Sequence, residues 1–265
     1  MRKIILIGVA LTFIFLSTSG YCMINNNVYV VLSASKMESK PVLNFLVNKK
    51  KGIFNKVPYI QGKLGNKNII VAQTGIGATN TASVTTSLIY GFKPKAIIFS
   101  GIAGGLLKSQ KIGDVVVGEK IFEADFGHLT KNGPEFLLLK TWPNGVKQKT
   151  EPLMFRVNNK LFVVAKKWSG SKNNLSFSIT PGTIASSQYF PDIPAIINLL
   201  VKQKTAAIAM EDAAIAKVGW MYDVPILIVR GISNIVQGGD IFTEKTANKA
   251  AVNAAVVTIN TLKKV

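Results

Sequence analysis

Two stretches decide the fold: Ala209-Met210-Glu211-Asp212-Ala213-Ala214 and, further on, Ile228-Val229-Arg230-Gly231-Ile232-Ser233-Asn234. In the first, an apolar run meets acidic residues where a helix should begin. In the second, an apolar strand ends in a cluster of polar side chains. In open α/β sheets, ligands sit beyond the carboxyl ends of the strands, where loops and helix starts bring polar groups together. Both stretches are therefore expected to face one ligand.

The rest of the chain repeats this strand-then-polar-turn pattern. Val28 to Leu32 reads as a buried first strand, followed by a turn at Ser33 to Lys36 and a helix expected from Met37 to Lys49. Glu38 falls in the first turn of that helix, where the helix dipole favours a carboxylate. Ile60 to Leu64 and Ile69 to Gln73 read as a hairpin around Gly65-Asn66-Lys67-Asn68. Then come Thr74-Gly75-Ile76-Gly77-Ala78 and a helix from Asn80 to Tyr90. Small residues at a strand-to-helix turn let backbone N–H groups approach an anion or a sugar. The turn lacks the third glycine of the dinucleotide fingerprint, which argues against a nicotinamide cofactor.

Lys95 to Ser100 is expected as a strand that ends in a second glycine-rich turn, Gly101-Ile102-Ala103-Gly104-Gly105. Lys111 to Asp114 leads into a strand at Val115 to Val117, and 122–157 reads as an irregular insertion with Pro134, Pro143 and Pro152. Asn158 to Trp168 suits a helix, and Leu175 to Thr180 and Gly182 to Ser187 suit two short strands. Gln188-Tyr189-Phe190-Pro191-Asp192 places an aromatic pair ahead of a helix expected from Asp192 to Lys202. The strand at Ala206 to Met210 runs into the opening motif. Thr243 to Leu262 reads as a long amphipathic closing helix.

With 265 residues and 48% hydrophobic content, the chain suits one domain with a sizeable core, here taken as 21–265. At the N-terminus, Arg2-Lys3 precedes an apolar run from Ile4 to Leu16 and the small residues Ser17 to Gly20. That order reads as a secretory signal peptide over 1–20, and the run is short for a membrane span. Export to the periplasm or the medium is the expectation, with an uncleaved signal anchor as the alternative. Cys22 is the only cysteine, so no internal disulfide is available. Without Arg2 and Lys3 the chain carries 30 basic and 13 acidic residues, a net charge of +17 that attracts anionic surfaces weakly and salt-dependently. The lysines are scattered and no basic helix interleaves aromatics, which excludes a specific nucleic-acid site. His128, the only histidine, reads as an incidental loop residue. Metal sites and Ser-His or Cys-His catalysis therefore lack support, and no cofactor is called for.

The ordered set Val31…Met37-Glu38…Pro41, Thr74-Gly75-Ile76-Gly77, Ser100 to Gly105, Lys111 to Asp114, Met210 to Ala214 and Arg230-Gly231-Ile232-Ser233 resembles the nucleoside phosphorylase superfamily. It looks closest to the methylthioadenosine/S-adenosylhomocysteine nucleosidases, a branch that takes in futalosine hydrolases and plant vegetative storage proteins. The resemblance implies a three-layer α/β/α fold around a central mixed, partly barrel-like sheet, and homodimers or higher oligomers. It also implies cleavage of the N-glycosidic bond of a purine nucleoside. By the same resemblance Glu38 activates water, Glu211 holds the ribose hydroxyls beside Met210, and Phe190 stacks on the base. Gly75 and Gly101 belong to turns at the pocket floor, and Ser233 with Asn234 addresses the base. No arginine follows the first strand, which favours water over phosphate as nucleophile, although Lys36 is an alternative anion contact.

Asn234 departs from the adenine-specific pattern, in which an aspartate protonates N7. An amide donates hydrogen bonds but transfers no proton. Three outcomes stay open: a preference for 6-oxopurine nucleosides, slow adenine chemistry, or a pocket that binds without turnover. Ile102 is a second departure, standing where a hydroxyl residue is common.

Overall fold

The computed structural model describes residues 27–131, 133–136, 154–157, 159–168, 175–190, 194–238 and 242–265. The signal segment at 1–20, Cys22, Pro143, Pro152, Pro191 and Asp192 lie outside them.

The apolar run β1 (Val28–Ser33) is buried and pairs in parallel with two neighbours. Ser35 then starts α1 (Lys36–Leu43), its N–H and hydroxyl both donating to Glu38 Oε2 at 2.8 and 3.2 Å. The bond from the Ser35 N–H is the glutamate arm of a capping box, a Ser followed three residues later by Glu. The helix stops well short of Lys49. From Val47 the chain forms an exposed strand, β2 (Val47–Phe54), which carries Lys49, Lys50 and Lys51 and pairs antiparallel with β3 (Val57–Leu64). A lysine run has no apolar stripe to pack as a helix, and strand pairing outweighs its helix propensity. β3 turns at Gly65-Asn66, with Gly65 at φ +60°, into β4 (Lys67–Gln73), so the expected hairpin is present.

α2 (Ala78–Phe92) follows the glycine turn. The next strand, β5 (Ala96–Gly105), is longer than expected. Gly101 to Gly105 do not form a turn; they continue the strand. Side chains larger than hydrogen would collide there: a Cβ on Gly104 would lie 2.7 Å from Val236 Cγ2, and one on Gly105 2.8 Å from Gln110 Oε1.

β6 (Val115–Glu123) extends into the region expected to be irregular, which also holds the hairpin β7 (Gly127–Thr130) and β8 (Gly133–Phe136) and the short β9 (Phe155–Arg156). α3 (Lys160–Lys167) is capped by the Asn159 side chain. The two short strands expected over 175–187 are one, β10 (Ile179–Ser186). Its register against β6 shifts between Gly182 and Thr183, just after Pro181, and β11 pairs with it only from Thr183, so Pro181 forfeits no hydrogen bond on that side. α4 (Pro194–Lys202), β11 (Thr205–Ala209), α5 (Asp212–Met221), β12 (Ile226–Ile235) and the closing helix α6 (Glu244–Lys264) complete the chain.

The strands run in the order β11-β10-β6-β12-β5-β1-β4-β3-β2, and β11 also pairs antiparallel with β5 through Ala207 and Gly105. Five strands thus close on themselves while the rest of the sheet stays open, the mixed, partly barrel-like arrangement expected. α6 packs on β12 and β5 beside α1 and α3, while α2 and α5 pack together. Gly231 permits the α6 contact: a Cβ there would collide with the Ala250 carbonyl oxygen.

Candidate active site

β12 is buried over nearly its whole length, and in its middle stands a charge, Arg230, only 1% exposed. A buried guanidinium is tolerated only when its donors are satisfied. Here Nε donates to Asp212 Oδ1 and Oδ2 at 2.9 and 3.2 Å, and Nη2 donates to Asp212 Oδ1 and Glu211 Oε2, both at 2.8 Å. Nη1 donates to the Ile102 carbonyl at 3.0 Å, and the Phe99 ring lies 4.4 Å away. Burial alone would disfavour the charge, but Asp212, Glu211 and Glu38 outweigh it and hold Arg230 protonated.

The three carboxylates come from two places distant in sequence, Glu38 from α1 and the neighbours Glu211 and Asp212 from the start of α5. Glu211 caps the start of α5, two residues beyond β11; its other oxygen accepts the Gly77 N–H at 3.0 Å, from the start of α2. Glu38 accepts the Ile102 N–H at 2.9 Å, and its Oε1 lies 3.9 Å from Arg230 Nη1. Gly101 makes that proximity possible, since a Cβ would lie 2.5 Å from Arg230 Nη1 and 2.7 Å from Glu38 Oε1. Burial raises the Glu38 carboxyl above its ordinary range, against the opposing pull of Arg230. Burial likewise pushes Asp212 up to about 6, again opposed by Arg230.

Glu38, Glu211 and Arg230 border a cavity of ≈ 290 Å³. Glu38, Phe190, Met210, Glu211 and Ser233 all line it, and Ile76 and Phe242 join them. Phe190 is 54% exposed, so its ring is available at the mouth. Asn234 is buried beside Ser233, whose hydroxyl lies 2.9 Å from Asn234 Oδ1 and 3.2 Å from the Ala103 carbonyl, but it is not a lining residue. Gly75 and Gly101 do not line the cavity either. Gly75 takes φ +78° in the turn, and the contact with Glu211 is made by Gly77. His128 is exposed in the β7–β8 hairpin, away from the lining. A larger hollow of ≈ 890 Å³ lies between α1 and β2–β4, lined by residues such as Leu43, Ile53 and Ile60, and holds none of these carboxylates. The chemistry belongs to the smaller cavity.

Residues 28–263 match the phosphorylase superfamily. The chain belongs to that superfamily. Among its phosphorylase-superfamily relatives, the 5′-methylthioadenosine/S-adenosylhomocysteine nucleosidase of Maridesulfovibrio salexigens is 28% identical over 244 residues, 88% of this chain and 97% of that protein. The futalosine hydrolase of Helicobacter pylori superposes with a TM-score of 0.77 at 25% identity, covering 91% of this chain and 99% of the other. The nucleosidase of Neisseria meningitidis in complex with methylthio-immucillin-A gives a TM-score of 0.76 at 26% identity, covering 90% and 100%.

Sequence reasoning gives Asp212 and Arg230 no role. The signal for both was a lone arginine in an otherwise apolar strand, which demands buried acidic partners.

Proposed function

We propose that the protein hydrolyses the N-glycosidic bond of a purine nucleoside. The observation that carries this is the pair Glu38 and Glu211, gathered around one buried guanidinium on the wall of one cavity. Glu211 spends one lone pair on Gly77 and one on Arg230, and its carboxylate retains further lone pairs to accept two ribose hydroxyls. Glu38, made more basic by burial, takes a proton from water as the water oxygen bonds to C1′. The C–N electrons leave with the purine, which Phe190 holds by stacking. Asn234, set behind Ser233, has no proton to transfer, so the proton the base acquires comes from water. The nucleosidases and futalosine hydrolase among the relatives support the substrate class.

The test is incubation with adenosine, inosine, methylthioadenosine and S-adenosylhomocysteine in the absence of phosphate. Free base from at least one is expected, and none from any would overturn the proposal. Base released only on adding phosphate, with sugar phosphate, would make the protein a phosphorylase. Asn234 favours a second reading, binding without turnover; tight nucleoside binding with no release selects it. If the amide directs the site to 6-oxopurines, Asn234→Asp lowers activity on inosine and raises it on adenine nucleosides.

The order of Arg2-Lys3, the apolar run and Ser17 to Gly20 supports export, which N-terminal sequencing of the cell-envelope protein tests by a start at Tyr21. Exposed Ile76, Phe190 and Phe242 around the cavity support a homodimer or higher oligomer, to be read by light scattering.

A further inference from the structure

Arg230 brings five N–H donors to three carboxylates. Asp212 takes the Nε edge as a fork, at 2.9 and 3.2 Å from Nε and 2.8 Å from Nη2; Glu211 takes the other Nη2 hydrogen at 2.8 Å, and the Ile102 carbonyl takes one from Nη1 at 3.0 Å. Glu38, at 3.9 Å from Nη1, is left outside hydrogen-bond range. The charged groups acting on this cluster are Glu38 from α1, Glu211 and Asp212 from the β11–α5 junction, and Arg230 from β12. Asp212 is wholly buried, begins α5 and does not line the cavity, so it touches no substrate.

We propose that Asp212 is a positioning residue that acts through Arg230: by occupying the Nε edge it holds the guanidinium toward Glu211 and away from Glu38, so that Glu38 keeps the proton affinity a general base needs. This rests on the nucleosidase role given to Glu38 above. One cation cannot neutralise three carboxylates, and whichever carboxylate binds it most closely leaves the others more easily protonated. With the Asp212 charge gone, the guanidinium is free to turn to Glu38 and is less neutralised. Glu38 then holds its proton less tightly and becomes the weaker base.

Asp212→Asn keeps the shape and removes the charge; Asp212→Ala also removes the fork. In both, the acid limb of the pH profile of kcat/KM should move down by about one unit. Plateau kcat should fall by roughly threefold to tenfold as the base weakens. KM should rise mainly in Asp212→Ala, where Glu211 loses its fixed partner. A lowered Tm with the acid limb unmoved would reduce Asp212 to a structural role and overturn the proposal. A measurement on the unmutated protein stands apart from variant folding. With carboxyl-labelled glutamate, the Glu38 NMR resonance, assigned by Glu38→Gln, should show a second inflection near pH 6, where Asp212 titrates. A single-step curve overturns the coupling. If the wild type releases no base from any nucleoside, the nucleosidase role fails while the NMR titration still decides whether Asp212 governs Glu38.

Discussion

Glu211 Oε1 accepts the backbone N–H of Gly77 at 3.0 Å, tying together residues 134 apart in the sequence. Gly77 sits at φ 94°, ψ 162°, a conformation essentially reserved for glycine. Gly77→Ala should cost about 1–3 kcal/mol of stability by strain. It should also raise KM for the nucleoside more than it lowers kcat, because the strain displaces the N–H that, with Arg230, aims Glu211. Denaturant unfolding and steady-state kinetics read the two effects separately.

Glu38→Gln separates chemistry from folding. The amide turns one acceptor into a donor, so either the Ile102 or the Ser35 N–H goes unanswered, at about 1 kcal/mol. Loss of the base should lower kcat by about 10²–10⁴-fold. Calorimetric nucleoside affinity should stay within a few-fold of wild type, since Glu38 binds water in the proposed mechanism and not sugar.

Arg230→Met should be the most damaging single change in the site. It leaves Glu38, Glu211 and Asp212 buried without their cation, a loss of about 3–5 kcal/mol. Lowering the pH should rescue part of that stability by protonating the carboxylates, so the deficit measured at pH 5 should be smaller than at pH 8. An equal deficit at both would mean that lost packing, not charge, dominates.

The raised carboxyl of Asp212 makes a prediction about pH and stability. An ordinary aspartate in the unfolded chain ionises near its model value of 3.8, whereas the folded one ionises at about 6. Protons are therefore held more tightly by the folded state, and the stability Asp212 contributes is fully present below 3.8 and lost as pH rises through about 6. Relative to Asp212→Asn, the wild type should weaken across that window and the difference should be flat above it. The elevated Glu38 changes stability with the same sign. Melting curves of both proteins at closely spaced pH values check this, and a difference that grows with pH contradicts it.

Much of the fold was legible in local pattern. β1, the β3–β4 hairpin and α6 showed continuous apolar runs, a glycine turn and a helical stripe, all local signals. β2 was hidden because a run of three lysines stands in its middle and most of its residues lie in water, so only the hydrogen bonds of β3 make them a strand. The closure of β11 on β5 depends on Ala207 meeting Gly105, a pairing no local window contains. In the site, Met210, Glu211 and Ser233 stood out in the two strand-end stretches, whereas Glu38 and Phe190 were singled out only by the family resemblance; the structure brings all five to one cavity. Gly75 was preferred to Gly77 because a sequence does not say which N–H of a turn points inward.

The lysines of β2 also bear on how the folded protein meets other copies of itself. At one end of the sheet β11 is paired on both sides, so the long open edge is β2, with Lys49, Lys50 and Lys51 exposed along it. An unpaired edge is a template for strand-by-strand growth into aggregates, and closely spaced like charges discourage a second strand from docking. β2 thus acts as a gatekeeper for solubility. Replacing Lys49, Lys50 and Lys51 together with Thr should leave kcat/KM of the soluble fraction unchanged while sharply lowering the concentration at which the protein begins to precipitate.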